Sequence, residues 1–367
     1  MELLKKAIEL SIECEEYFME NQEQTHKRRE RYKGTHPRSF KEKYKELQPE
    51  KYTDTVEKII KKGNTPAGMH ISIMVQEILE FLDIKPGQVG LDATLGYGGH
   101  TSEMLKRLEN KGHIYALDID PIEITKTRER LGKLGYGPDI LTIKHLNFAN
   151  IDEVAAEAGK FDFVLADLGV SSMQLDNPDR GFSFKKDGPL DLRLNPKKGI
   201  PASERLKNIT QPELEGMLIE NADEPYAKEI SRAIISNIRR KVDISTTTQL
   251  YEIIEEALKF IPTAERKEAV KKSSQRTFQA LRIDINDEFE VLYEFLEKLP
   301  NILAKGGRVA VLTFHSGEDR LVKKSFKSLL REGIYSEIAT EVIRPSMEEC
   351  NINSRSRSTK MRWAIKA

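Results

Sequence analysis

Cysteine is nearly missing from this chain. Two occur in 367 residues, Cys14 and Cys350, far apart and without CxxC spacing. That excludes a disulfide scaffold, argues against a structural zinc site, and fits a reducing compartment. No metal site is expected from spacing. Long apolar runs are also missing: none approaches the roughly eighteen residues a membrane-spanning helix needs. The opening MELLKKAIEL has no continuous apolar core of the kind a secretory leader carries. A cytoplasmic protein is the expectation. Net charge is absent as well, with 59 Lys plus Arg against 59 Asp plus Glu, so only local charge can point to a nucleic-acid partner. What is present is 38% hydrophobic residues, enough for a core, and 32% charged residues, which implies much solvated helix surface. The length leaves room for two or three domains.

The most informative stretch is Val89 to His100, VGLDATLGYGGH. Val89, Leu91 and Ala93 read as a buried strand running into a glycine turn. Gly96, Gly98 and Gly99 allow positive φ and the close approach of a ligand. A helix follows whose first amides point back at the turn. A second strand, KGHIYALDID, ends in Asp118, about twenty residues past Gly98, where a carboxylate can accept from ribose hydroxyls. Thr101 stands where a dinucleotide fingerprint needs its third glycine. Asp92, then Gly-x-Gly-Gly, then a ribose acid is more like an S-adenosylmethionine site than an NAD site.

Around that unit the chain divides. Residues 1–65 read as a helical, basic extension: an amphipathic first helix, then His26 to Lys45 with nine Lys or Arg, two Glu, and interleaved Tyr32, Phe40 and Tyr44. Such a segment suits a phosphate backbone and stacked bases, or equally a solvated helix. KKGNTPAG over 61–68 is a turn-rich boundary. Residues 66–178 hold the first part of an α/β domain, with a helix at 70–82 stopped by Lys85-Pro86-Gly87 and strands at 140–145 and 161–168. Phe148 follows the third strand, where an aromatic could flank an adenine. Asp167 ends the fourth, facing the glycine turn across the switch point of a doubly wound sheet. Residues 168–194 are too rich in Gly, Pro and Asp for helix or strand, and too apolar for a disordered linker; a long ordered loop at that edge usually carries function. Residues 179–285 read as a helical insert, with a link before SQRTFQALRIDIN. Residues 286–367 complete the sheet: a helix at 286–303, a strand at 306–315, a helix at 321–330, and two edge strands at 336–343 and 360–365, expected antiparallel.

Together LDATLGYGGH, ALDIDP, FVLADLGVSSMQLDNPDRGFSFKKDGPLDLRL, SQRTFQALRIDINDE, GGRVAVLTFHSGEDRLVK and NSRSRSTKMR resemble the MraW or RsmH family of ribosomal RNA small subunit methyltransferases, from about residue 68 onward. The loop match is the most specific. The resemblance implies a Rossmann-like class I S-adenosylmethionine-dependent methyltransferase with an inserted all-helical domain, acting on the N4 amino group of a cytidine in the decoding region. It implies small-subunit rRNA or the assembled subunit as partner and leaves room for a homodimer. Family cofactor contacts fall on Gly98, Gly99, His100, Asp118, Phe148, Asp167 and Gln174. The chain departs from the family at Gly317, where a hydrophobic residue is usual, at Ser354, where proline is usual, at 70–73, and in residues 1–65, which have no counterpart in the typical member.

Asp167 has two roles open to it: holding an amino proton of the target base, or binding the cofactor. His315 and Asp191 are further catalytic candidates, with Ser316 and Asp319 at the mouth. Phe182 and Phe184 could stack on a base out of its helix or could simply be core. Arg180, Arg193, Arg276, Arg282, Arg355, Arg357 and Arg362 would meet phosphates, and 351–367 carries five Lys or Arg and no acid. The alternative from a binding class is an RNA-binding assembly factor that keeps cofactor affinity; another is a methyltransferase of a different RNA or a small molecule.

Overall fold

The computed structural model describes residues 72–367. The expected amphipathic helix, the basic segment 26–45, the linker 61–68 and the first residues of the helix at 70–82 lie outside the described residues.

A seven-stranded sheet in the order β3-β2-β1-β4-β5-β7-β6 organises the rest. β1 (Val89–Asp92), β2 (His113–Asp118), β3 (Leu141–His145), β4 (Phe161–Asp167) and β5 (Leu303–Thr313) run parallel. β6 (Tyr335–Ile338) and β7 (Lys360–Lys366) close one side antiparallel, with β7 between β5 and β6. The near-continuous apolar runs of β1, β4 and β5 follow from burial on both faces. One layer of core joins Leu91, Val164 and Val309 to Leu292 and Phe295; the other joins Ile114, Phe163 and Ala310 to Met74, Ile78 and Met104.

α1 (Val75–Leu82) and α2 (Gly99–Leu108) pack on the sheet, as does α3 (Pro121–Lys133), whose first-turn proline and Asp120 cap suit a helix start. α4 (Ile151–Ala158) leads into β4. The loop after β4 departs from expectation, because it contains α5 (Ser172–Asp176). Ser171 accepts from the Gln174 amide, and the Gln174 side chain accepts from the Ser171 amide. This capping box satisfies amides at the start of a helix too short to satisfy them within itself.

A helical insert follows: α6 (Ala202–Lys207), α7 (Gln211–Ala222), α8 (Ala227–Arg239), α9 (Thr247–Ala257) and α10 (Thr263–Asn286). It has a core of its own, built on Leu214, Leu218, Ile230, Ile234, Leu250, Ile254 and Leu281. The link expected before residue 274 is instead the first half of the 24-residue α10; Pro262 precedes its first turn and the strong helix formers TAERKEAVKK carry it. α11 (Glu288–Ile302) returns the chain to β5, and α12 (Ser316–Arg331) begins five residues earlier than expected, directly after His315. α13 (Met347–Ile352) precedes the basic run.

Candidate active site

The site sits where the strand order reverses, outside the carboxyl ends of β1 and β4. Asp92, fully buried at the end of β1, accepts from Thr101 Oγ1 at 2.5 Å and from the Thr94 amide at 3.1 Å. The residue that breaks the dinucleotide pattern therefore ties the glycine turn to the strand. Gly98 has φ of +75°, and a Cβ there would lie 2.8 Å from Thr127 Cγ2; a Cβ on Gly99 would lie 2.0 Å from Ser72 Oγ. Gly98 needs glycine for its backbone conformation, whereas at Gly99 a side chain would have to turn the Ser72 hydroxyl aside.

Asp118 ends β2. Its two carboxylate oxygens accept from the amides of Gly96 (2.7 Å) and Asp120 (2.8 Å), which fixes the side chain and leaves lone pairs toward the cleft. Burial raises its pKa to about 7, against the lowering effect of those two amides and with a further push from Asp120 and Glu123. His100 Nε2 lies 3.4 Å from Asp167 Oδ2. Burial disfavours the imidazolium, but the Asp167 contact and the charges of Asp167, Asp92 and Glu349 outweigh it, so the pKa of His100 is raised. His100 Nε2 and Asp167 Oδ1 are buried with no hydrogen-bond partner among the described residues. Phe148 packs edge-on against Phe295, with centroids 5.3 Å apart, and shows its other side to the cleft.

These groups share one cavity of about 480 Å³, within the usual range of small-ligand sites. Gly98, Gly99, His100, Asp118, Phe148, Asp167 and Gln174 all line it. A strong acceptor at the ribose distance, an aromatic wall, a glycine cradle and orphaned polar atoms suit a nucleoside bearing a charged tail.

Residues 67–367 match the sequence model of the MraW methylase family. The chain belongs to that family. It is 76% identical over 348 residues to ribosomal RNA small subunit methyltransferase H 1 of Lachnoclostridium phytofermentans, covering 95% of each chain. It is 70% identical over 349 residues to ribosomal RNA small subunit methyltransferase H 2 of Alkaliphilus metalliredigens, covering 95% of this chain and all of that one. With ribosomal RNA small subunit methyltransferase H of Clostridium botulinum (strain 657) it shares 39% identity over 310 residues, 80% of this chain and 97% of that one. Alignments that reach 95% of the chain must include most of residues 1–65. The extension therefore has counterparts in some MraW-family members, while the Clostridium botulinum relative, aligned over 97% of its own length with 80% of this chain, lacks most of it, as expected of the typical member.

Several residues that the MraW resemblance or the spacing singled out do other work. Gln174 lines the cavity, but its side-chain atoms are engaged: Oε1 by the Ser171 amide, and Nε2 as donor to Asp120 Oδ2 at 2.8 Å. Asp191 does not line the cavity; Arg193 Nε and Nη2 hold its two oxygens at 2.7 Å each. His315 is set behind Phe314 and Glu318, which do line it. Asp319 pairs with Arg362 at 2.6 Å and Lys360 at 3.1 Å, and Ser316 donates to Asp223 at 3.3 Å. Phe182 is buried in the helical core, and Phe184 stacks on Tyr251 at 5.3 Å, so neither is free to hold a base.

The arginines expected to face phosphate are mostly paired. Arg180, 7% exposed, donates to Asp120 at 2.6 Å; Arg282 pairs with Glu288 at 2.8 Å; Arg355 pairs with Asp176 at 2.7 Å. Acids distant in sequence thus neutralise much of the 351–367 run. Arg357 stays exposed at the cleft edge. Sequence reasoning missed Glu288 and Glu318 as cleft residues; the one available signal was their place in the family-matching stretches.

Proposed function

We propose that this chain transfers a methyl group from S-adenosylmethionine to the N4 amino group of a cytidine in the decoding region of small-subunit rRNA. The observation that carries the reading is the single cleft in which Asp118, the Gly98-Gly99 turn and the unpartnered Asp167 Oδ1 meet. Relatives named as rRNA small subunit methyltransferases at 70% identity and above support it. The substrate in this reading is small-subunit rRNA or the assembled subunit. Residues 66–178 and 286–367 form the methyltransferase domain, and 179–285 the insert.

When bound, the cofactor supplies a methyl group on a sulfonium, already a strong electrophile. The chain's part is position and charge. Asp118 accepts from the ribose hydroxyls, and Phe148 flanks the adenine. The backbone at Gly98 and Gly99 comes close to the tail, and Gln174, locked between Ser171 and Asp120, keeps the loop wall in place. The target base must leave its stack to enter. Its amino nitrogen is a weak nucleophile because the lone pair is delocalised into the ring. Asp167 Oδ1 accepts an amino N–H, which localises that lone pair and stabilises the positive charge that develops on nitrogen. The proton then passes to that oxygen, while His100 beside Oδ2 balances the carboxylate charge. Asp191 and His315 have no direct contact role here.

Nucleoside mass spectrometry of small-subunit rRNA from cells with and without the gene tests the reading. N4-methylated cytidine should vanish without the gene and return with the wild type but not with Asp167→Ala. An unchanged nucleoside profile in the deletion strain overturns it.

A further inference from the structure

In the cleft wall, with one member set behind its surface, lies a cluster that the methyl-transfer reading does not use. Glu288 opens α11, and His315 and Glu318 straddle the start of α12. One ligand atom from each of the three lies within 4.8 Å of the other two. The His315 side chain is 10% exposed, and both ring nitrogens are buried with no hydrogen-bond partner among the described residues. Its Nε2 is 3.2 Å from Glu318 Oε1 but lies outside hydrogen-bond geometry. A buried polar nitrogen left unsatisfied loses its hydration with nothing in return, so such a ring normally has a partner. Phe289 packs beside it at a tilt, with centroids 5.8 Å apart.

The charges around the cluster favour a cation. Two carboxylates stand against one guanidinium: Arg282 donates to Glu288 Oε1 at 2.8 Å and Oε2 at 2.9 Å. Glu318 Oε2 accepts from the Phe314 amide at 2.8 Å, which leaves Oε1 toward His315. Each carboxylate keeps lone pairs beyond these bonds. We propose that Glu288, His315 and Glu318 bind one divalent transition-metal ion. One imidazole and two carboxylates suit such ions better than Mg²⁺ or Ca²⁺, which prefer oxygen alone. Three protein ligands leave open coordination positions, and Glu288 and Glu318 themselves line the cleft. The ion would be a fixed positive charge in the cleft wall. This goes beyond the proposed reaction and does not depend on it.

Mn²⁺ is the probe, because it avoids the thiols of Cys14 and Cys350. Untagged full-length protein, stripped with chelator, is titrated while the free Mn²⁺ resonance is followed. One saturable equivalent is expected, with nitrogen hyperfine coupling from a single imidazole, and Mg²⁺ should compete poorly. His315→Gln and Glu288→Gln, each checked for folding by circular dichroism, should each weaken binding by about tenfold or more. The proposal is overturned if the wild type shows no saturable binding, if bound Mn²⁺ lacks nitrogen coupling, or if both folded variants bind as the wild type does. The nitrogen coupling is read on unmodified protein, so a variant that fails to fold does not block the test.

Discussion

At the residue scale, Asp118 couples ligand binding to pH. The Asp118 oxygens already accept from the amides of Gly96 and Asp120, and only the ionised carboxylate keeps acceptor sites for two ribose hydroxyls as well, so the bound state needs the charge, whereas burial holds the free side chain's pKa at about 7. Cofactor affinity should be constant above that value. Below it, affinity should fall by about tenfold per pH unit, since the proton must leave first. Calorimetric titration on both sides of neutrality measures this; a flat affinity would show that Asp118 does not bind in its charged form. Asp118→Ala removes two hydrogen bonds to a charged acceptor, each contributing about 1.5–3 kcal/mol. The same titration should then show a loss of about a hundredfold or more, with the fold intact. The sign is opposite at His100. Its raised pKa means that the pairing with Asp167 stabilises the fold fully below the ordinary histidine value of 6.5 and is lost as pH climbs through the raised one. Gly317 also finds its reason at this scale: a Cβ there would lie 2.6 Å from the Phe289 ring, which fills the space a larger side chain would need.

At the element scale, the segment after β4 is held as a wall by one buried junction. Arg180 donates to Asp120 Oδ2, and its other arm donates to the carbonyls of Arg193 (3.0 Å) and Leu194 (2.8 Å), spanning both ends of the loop. Asp120 also caps α3 and accepts from Gln174. Arg180→Ala would leave the buried Asp120 charge without its cation, held only by the cap amides and Gln174, which costs up to about 3–5 kcal/mol. Urea unfolding should show a lower midpoint, whose shift multiplied by the m-value gives a loss of that size. A change within error would mean that the loop is held elsewhere. The composition of this loop suggested order and function but not helix. The signal for α5 was present in the Ser171 and Gln174 spacing; the partner of Arg180 was not, because Asp120 lies 60 residues away in sequence.

At the scale of the whole molecule, the C-terminal run folds back on the site. Arg355 reaches Asp176 on α5, while Arg357 stays exposed at the cleft edge. Arg357→Glu should weaken binding of small-subunit rRNA fragments and flatten the salt dependence by about one phosphate contact, with cofactor affinity unchanged. Arg355→Glu should disturb both, since it places a second acid beside Asp176. Filter binding over a salt series, paired with cofactor titration, separates the two; equal effects would count against this division of labour. The Clostridium botulinum relative aligns over 97% of its own length with only 80% of this chain. A chain beginning at residue 66 should therefore keep wild-type cofactor affinity, measured by titration; loss of binding would give the extension a part in the site.

The alternation of apolar strands and helices, the glycine turn and the carboxylate that ends β2 at the cleft were legible along the chain, because each rests on local spacing: period-two and period-3.6 burial, positive φ, and an acid at a strand end. The strand order, the pairing of the basic run with Asp176 and Asp319, the burial of Phe182 and Phe184 in the insert, and the meeting of Glu288 with His315 and Glu318 were decided only in three dimensions. Charge and aromatic character are properties of a residue, but whether they face solvent, a ligand or each other depends on groups brought together from distant parts of the chain, and no window of sequence contains both partners.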